Sequence, residues 1–147
     1  MAILRPKIKL FKNHFNPEIL VFCCNWCSYA GADLAGVSRF QYPPNIRIIR
    51  VMCSGRVDPS LVLKAIKSGA DGVLITGCHI GDCHYISGNQ YASERFKMLI
   101  EVIIKQLGID ESRVRLEWIS ASEGKRFANL ITEFTNQIKE LGPLLCD

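Results

Sequence analysis

Val73-Leu74-Ile75-Thr76-Gly77-Cys78-His79-Ile80-Gly81-Asp82-Cys83-His84-Tyr85-Ile86-Ser87-Gly88-Asn89 runs from a short apolar strand straight into soft ligands and glycines. A near-continuous apolar run of this length suits a strand buried on both faces. Asp71-Gly72 turns the chain into it. Two more strands of the same kind precede it, Glu18–Cys23 and Ile46–Met52, and Val114–Ile119 follows. Helical patterns lie between and after them. Tyr29–Gly36 is a small-residue helix. Asp58 and Pro59 open a helix with Leu61, Val62, Ala65 and Ile66 inward, which ends at Gly69. Tyr91–Leu107 is a long helix with Phe96, Leu99, Ile100, Ile103, Ile104 and Leu107 inward, stopped by Gly108. Ser122-Glu123 opens the last, carrying Phe127, Leu130, Ile131, Phe134, Ile138 and Leu141 at helical spacing.

Strand and helix alternate four times, with Tyr42-Pro43-Pro44-Asn45 a plain loop. The expected fold is α/β, a single doubly wound, flavodoxin-like sheet of about four parallel strands with helices on both faces. Residues 1–17 are expected to form an N-terminal arm, 18–142 the domain and 143–147 a tail. A chain of 147 residues suits one domain with a real core.

In such sheets the site lies beyond the carboxyl ends of the strands, and the cysteines fall there. Cys23 and Cys24 end the first strand, Cys53 the second and Cys78 the third. Seven cysteines is a high count for a chain that is expected to be cytoplasmic, and there they suit metal or catalysis better than disulfides. The cytoplasmic expectation follows from the lack of a signal-peptide pattern in Met1–Pro6 and of any apolar run near ~20 residues, which also argues against a membrane partner. A net charge of +4 with scattered basic residues argues against nucleic acid.

Cys24-x-x-Cys27, Cys53 and Cys78-x4-Cys83 give five candidate thiolates around one rim. Four suffice for an iron–sulfur cluster or for structural zinc. Glycine amides beside the thiolates, and a helix start aimed at the site after Cys27, favour iron and sulfur. A thioredoxin-like pair at Cys24 and Cys27 would leave Cys53, Cys78 and Cys83 unexplained. Cys23 alternates away from Cys24 and is expected in the core; Cys146 in the tail is outside the site. His79 and His84 are expected to support the thiolates rather than ligate, and Trp26 and Tyr85 to pack over the site. Arg56 suits either balancing the charge of a cluster or contacting a partner, and equally a solvated loop residue, and Glu123 is a helix-start acid. No dinucleotide fingerprint is present.

Cys24-Asn25-Trp26-Cys27-Ser28-Tyr29-Ala30-Gly31-Ala32-Asp33, Val51-Met52-Cys53-Ser54-Gly55-Arg56-Val57 and Gly77-Cys78-His79-Ile80-Gly81-Asp82-Cys83-His84-Tyr85 closely resemble the delta (D) subunit of methyl-viologen-reducing hydrogenase. Tyr42-Pro43-Pro44 and Leu116–Ala121 resemble it too, so the likeness covers about residues 17–140. It implies a small 2Fe–2S protein of methanogens with no catalytic residues of its own. Its cluster ligands would come from Cys24, Cys27, Cys53, Cys78 and Cys83. The implied role is to relay electrons from a nickel–iron hydrogenase, or a formate dehydrogenase, to the flavoprotein A subunit of heterodisulfide reductase.

Overall fold

A computed structural model describes residues 15–144. Residues 1–14 of the expected arm, and Cys146, lie outside the described residues. Four parallel strands, β1 (Ile19–Cys24), β2 (Ile46–Val51), β3 (Gly72–Gly77) and β4 (Val114–Trp118), form one sheet in the order β2-β1-β3-β4. That is the order of a flavodoxin-like sheet, whose switch point falls between β1 and β3. In register, Phe22 pairs Ile49 on one side and Ile75 on the other, and Ile75 pairs Leu116.

The pleat sends alternate residues to two cores. Ile19, Val21, Cys23 and Leu74 pack on one face against α1 (Ser28–Val37) and α4 (Gly124–Leu141), whose Phe127, Ile131, Phe134 and Ile138 are fully buried. Phe22, Val73 and Ile75 pack on the other against α2 (Pro59–Lys67) and α3 (Gly88–Met98) with its continuation. Helices therefore cover both faces, as the alternation predicts.

Two expected inward residues point out. α3 does not run regularly to Leu107; Leu99–Ile104 forms a π-helical turn. Its wider pitch moves Ile104 into the core and leaves Leu107 59% exposed, just before the left-handed Gly108 (φ 68°). Leu61 is exposed because α2 leaves the outer strand β2 half covered. A largely apolar groove of about 560 Å³ opens there, with Leu61 and Ile49 in its wall. The α2 start is as expected: the Asp58 side chain accepts from Ser60 N–H at 2.8 Å, with Pro59 as the first helical residue.

Candidate metal centre

Three loops at the carboxyl ends of β1, β2 and β3 carry the thiols, because parallel strands deliver those ends to one rim. Cys24 is the last residue of β1, and Cys53 follows β2 and precedes the short turn Ser54–Arg56. Cys78 follows β3 directly. The structure brings the thiols together as two close pairs. Cys24 Sγ and Cys78 Sγ stand 3.5 Å apart, and Cys53 Sγ and Cys83 Sγ 3.8 Å apart. Cys27 lies near the first pair, close enough to Cys78 for the two thiols to influence each other. Among the described residues no three Cys, His, Asp or Glu side chains form a ready site for a single ion. Cys23 is fully buried in the core, accepting from the Thr76 hydroxyl at 3.4 Å, and burial pushes its thiol up to about 11.

Each pair holds one cysteine whose surroundings favour the thiolate. Burial raises the Cys24 thiol, but the Ser28 hydroxyl and the N–H groups of Ser28 and Cys27 outweigh it and hold it below the usual thiol range. Both N–H groups lie 3.4 Å from Cys24 Sγ at the start of α1, where the helix dipole is positive. Ser28 is itself buried and accepts from Cys24 N–H at 2.7 Å; its one hydroxyl proton goes either to the Cys24 sulfur or to Thr76 O, 3.1 Å away. Cys83 is lowered likewise: its burial is outweighed by N–H groups of Tyr85, Asn89 and Gly88 and by the Cys53 thiol. The partners Cys78 and Cys53 are raised, first by burial and then by the neighbouring sulfurs.

Glycines make the close approach possible. A Cβ on Gly88 would stand 2.1 Å from Cys53 Sγ and 3.1 Å from Cys83 Sγ. A Cβ on Gly55 would meet Gly88 O at 2.6 Å, and one on Gly77 would meet Ser54 Oγ at 2.5 Å. The chain closes tightly around sulfur here, and only glycine leaves the space.

The thiolate set fits a metal–sulfur centre by geometry. Two sulfurs bound about 2.3 Å from one tetrahedral metal sit about 3.8 Å apart, which both pairs approach. The histidines are engaged elsewhere. His79 Nε2 hydrogen-bonds Glu123 Oε1, and the same oxygen accepts from Ser120 N–H at 2.9 Å. The carboxyl is held low, at about 2, first by that Ser120 N–H and then by His79. His84 stacks on Trp26 with ring centroids 3.7 Å apart and planes 13° from parallel. Trp26 Nε1–H donates to the Tyr85 hydroxyl at 3.3 Å, so both aromatics do pack at the site. Arg56 is exposed.

Several supporting residues escape sequence reasoning. Asn89, fully buried, donates both amide hydrogens to the carbonyls of Cys78 (3.0 Å) and His79 (2.8 Å). Arg95 of α3 donates to Gly55 O and holds the Ser54–Arg56 turn. Glu123 does more than open α4, since it anchors the loop after Cys78. Asn89 and Glu123 signal only polarity near a helix start, and Arg95 only a basic residue in a helix's last turn, which solvated residues share.

Fold and site together define a flavodoxin-like α/β protein with a cluster of cysteine thiols on the carboxyl rim of its sheet. Residues 19–142 match the family model described as methyl-viologen-reducing hydrogenase, delta subunit. The chain belongs to that family. It is 57% identical over 130 residues to the D iron-sulfur subunit of an F420-non-reducing hydrogenase of Methanococcus voltae, covering 88% of this chain and 90% of that one. The corresponding D iron-sulfur subunit of Archaeoglobus profundus is 52% identical over 129 residues, covering 88% of this chain and 93% of that one. The A subunit of the ferredoxin:CoB-CoM heterodisulfide reductase of Methanosarcina mazei is 56% identical over 128 residues, 87% of this chain but only 16% of that longer one.

Proposed function

We propose that the chain is a 2Fe–2S electron-transfer subunit that carries no catalytic residues itself. It relays electrons from a hydrogenase, or a formate dehydrogenase, to the flavin of the heterodisulfide reductase A subunit in methanogenesis, in the cytoplasm. The observation that carries this reading is the division of the thiols into two pairs at metal-ligand spacing, 3.5 and 3.8 Å. A 2Fe–2S cluster takes two cysteines on each iron, so Cys24 with Cys78 would hold one iron and Cys53 with Cys83 the other. Cys27 is the fifth thiol, beside the first pair. The cluster would supply one-electron transfer; these cysteines would hold it, with N–H groups of Cys27 and Ser28 on Cys24 Sγ and of Tyr85, Gly88 and Asn89 on Cys83 stabilising the thiolates.

The relatives support the partner assignment from both sides. Two of them are named as hydrogenase iron-sulfur subunits. In another, a domain like this one forms part of a chain named as the A subunit of a heterodisulfide reductase. Membrane or nucleic-acid partners have no such support, and among the described residues no helix is long and apolar enough to cross a membrane.

Anaerobically purified protein is expected to be brown, with about two irons and two sulfides per chain, and to give an EPR signal on reduction. Stoichiometric zinc without visible absorbance would replace this reading with a structural zinc module. Reduction of insulin disulfides by metal-free protein would replace it with a thiol–disulfide protein.

A further inference from the structure

We propose that the apolar rim around Cys83, built from Trp26, Ile80, Tyr85 and Ile86, is the docking face for the A subunit of heterodisulfide reductase. The inference rests on the electron-relay reading and assigns that relay a surface.

Each of these side chains is exposed, and Ile86 is the most so at 84%. All sit on the β1 and β3 rim loops that carry Cys27, Cys78 and Cys83, whose neighbouring polar residues would suffice for solubility alone. Large apolar side chains gathered on a loop surface mark contact sites. The patch is also pre-organised. Trp26 is stacked on His84, hydrogen-bonded to Tyr85 and edge-on to its ring with centroids 6.5 Å apart. Ile86 has φ 69°, a left-handed conformation that β-branched residues avoid. Ser87 N–H closes a turn across it to Tyr85 O at 2.8 Å, and Ile86 N–H bonds Cys83 O at 2.9 Å. The chain thus holds an isoleucine outward where Asn or Gly would sit without strain.

Two considerations select the occupant. Electron tunnelling falls steeply with distance, so an acceptor must approach the sulfurs, and this patch is built on the loops that carry Cys27 and Cys83. A domain like this one also occurs within the same chain as the reductase's A subunit, where tethering keeps the two surfaces together at high effective concentration. A small, largely apolar contact with aromatic anchors suits such a redox encounter.

The test pairs the anaerobic holoprotein with the purified reductase A subunit. The double variant Ile80→Asn, Ile86→Asn removes the apolar surface, and Asn tolerates the left-handed position 86. Val37→Asn, at the far end of α1, is the control. The double variant is expected to keep wild-type iron content and EPR signal while its affinity for the reductase partner falls at least tenfold. Reoxidation of its reduced cluster by that partner should slow at least tenfold, with Val37→Asn unchanged. Wild-type binding and reoxidation by the double variant would overturn the docking face. So would equal losses in Val37→Asn, or loss only of hydrogenase binding. Iron-loaded wild-type protein that ignores the reductase partner would overturn this inference and leave the cluster reading standing. Protein without iron would overturn the reading beneath it, and this inference with it.

Discussion

At the scale of single residues the site separates five similar cysteines by position. Cys24, Cys53, Cys78 and Cys83 stand in close sulfur pairs, while Cys27 has no sulfur partner at that spacing among the described residues. Replacing any of the four by Ser should abolish or strongly alter the reduced-state EPR signal and lower bound iron. Cys27→Ser should retain about two irons per chain with a modest spectral change. Loss of iron in Cys27→Ser, with retention in one of the others, would reassign the ligand set. Gly88 makes a sharper case, because its substitution adds one methyl group and no chemistry. With Cβ 2.1 Å from Cys53 Sγ, Gly88→Ala must push that cysteine or the start of α3 aside. Overpacking of this kind costs about 1–3 kcal/mol. Here it also splays the proposed ligand pair Cys53 and Cys83, so reconstituted iron should fall well below wild type, as metal analysis would measure. The five thiols were legible in the sequence because soft ligands at strand ends have few other uses. Gly88 was legible only as one glycine among several, since the sulfurs that crowd it come from loops far apart in the chain.

At the scale of elements, α4 is tied to the cysteine loop through Glu123. Its carboxylate accepts from Ser120 N–H and bonds His79, so the start of α4 and the residue after Cys78 share one anchor. Glu123→Ala removes both bonds at a helix start, where a lost side-chain partner typically costs about 1 kcal/mol. Amide hydrogen exchange should then quicken at Ser120 and in the Ile80–Tyr85 loop while the α4 interior stays protected. Uniform quickening along α4 would instead mean that Glu123 only supports the helix. From sequence Glu123 reads as a dipole-favoured acid, and that reading is incomplete because its partner stands 44 positions away. Helix periodicity was legible along α4, where the pitch is regular and the whole face is covered. All five expected inward residues from Phe127 to Ile138 of α4 are buried. It failed at Leu107, where the Leu99–Ile104 π-turn shifts the phase, because a repeat at 3.6 residues carries no information about a local change of pitch.

At the scale of the whole molecule the sheet divides its work between two ends. The carboxyl end holds the thiols, and the amino end holds the strands together. The fold was legible because alternating apolar strands and helices leave few other topologies. The lock at the amino end was not, since a lone arginine beginning a strand reads as solvated. Arg113 is buried and donates to Asp71 O at 3.0 Å and Gly142 O at 2.7 Å. Asp71 in turn accepts from Glu18 N–H at 2.9 Å and Leu144 N–H at 3.1 Å. The starts of β1, β3 and β4 and the end of α4 are thereby joined through two side chains. Arg113→Met keeps the apolar stem but leaves two buried carbonyls without their charged donor, a loss of about 2–3 kcal/mol. For a domain of this size that lowers the thermal midpoint by about 10 °C. The thiol rim lies a strand length away, roughly 17–20 Å, so with the proposed cluster bound the visible and EPR spectra of Arg113→Met below its midpoint should match wild type. A spectral change at low temperature would mean that the two ends of the sheet are coupled, and the stabilising lock would then also be setting the geometry of the metal centre.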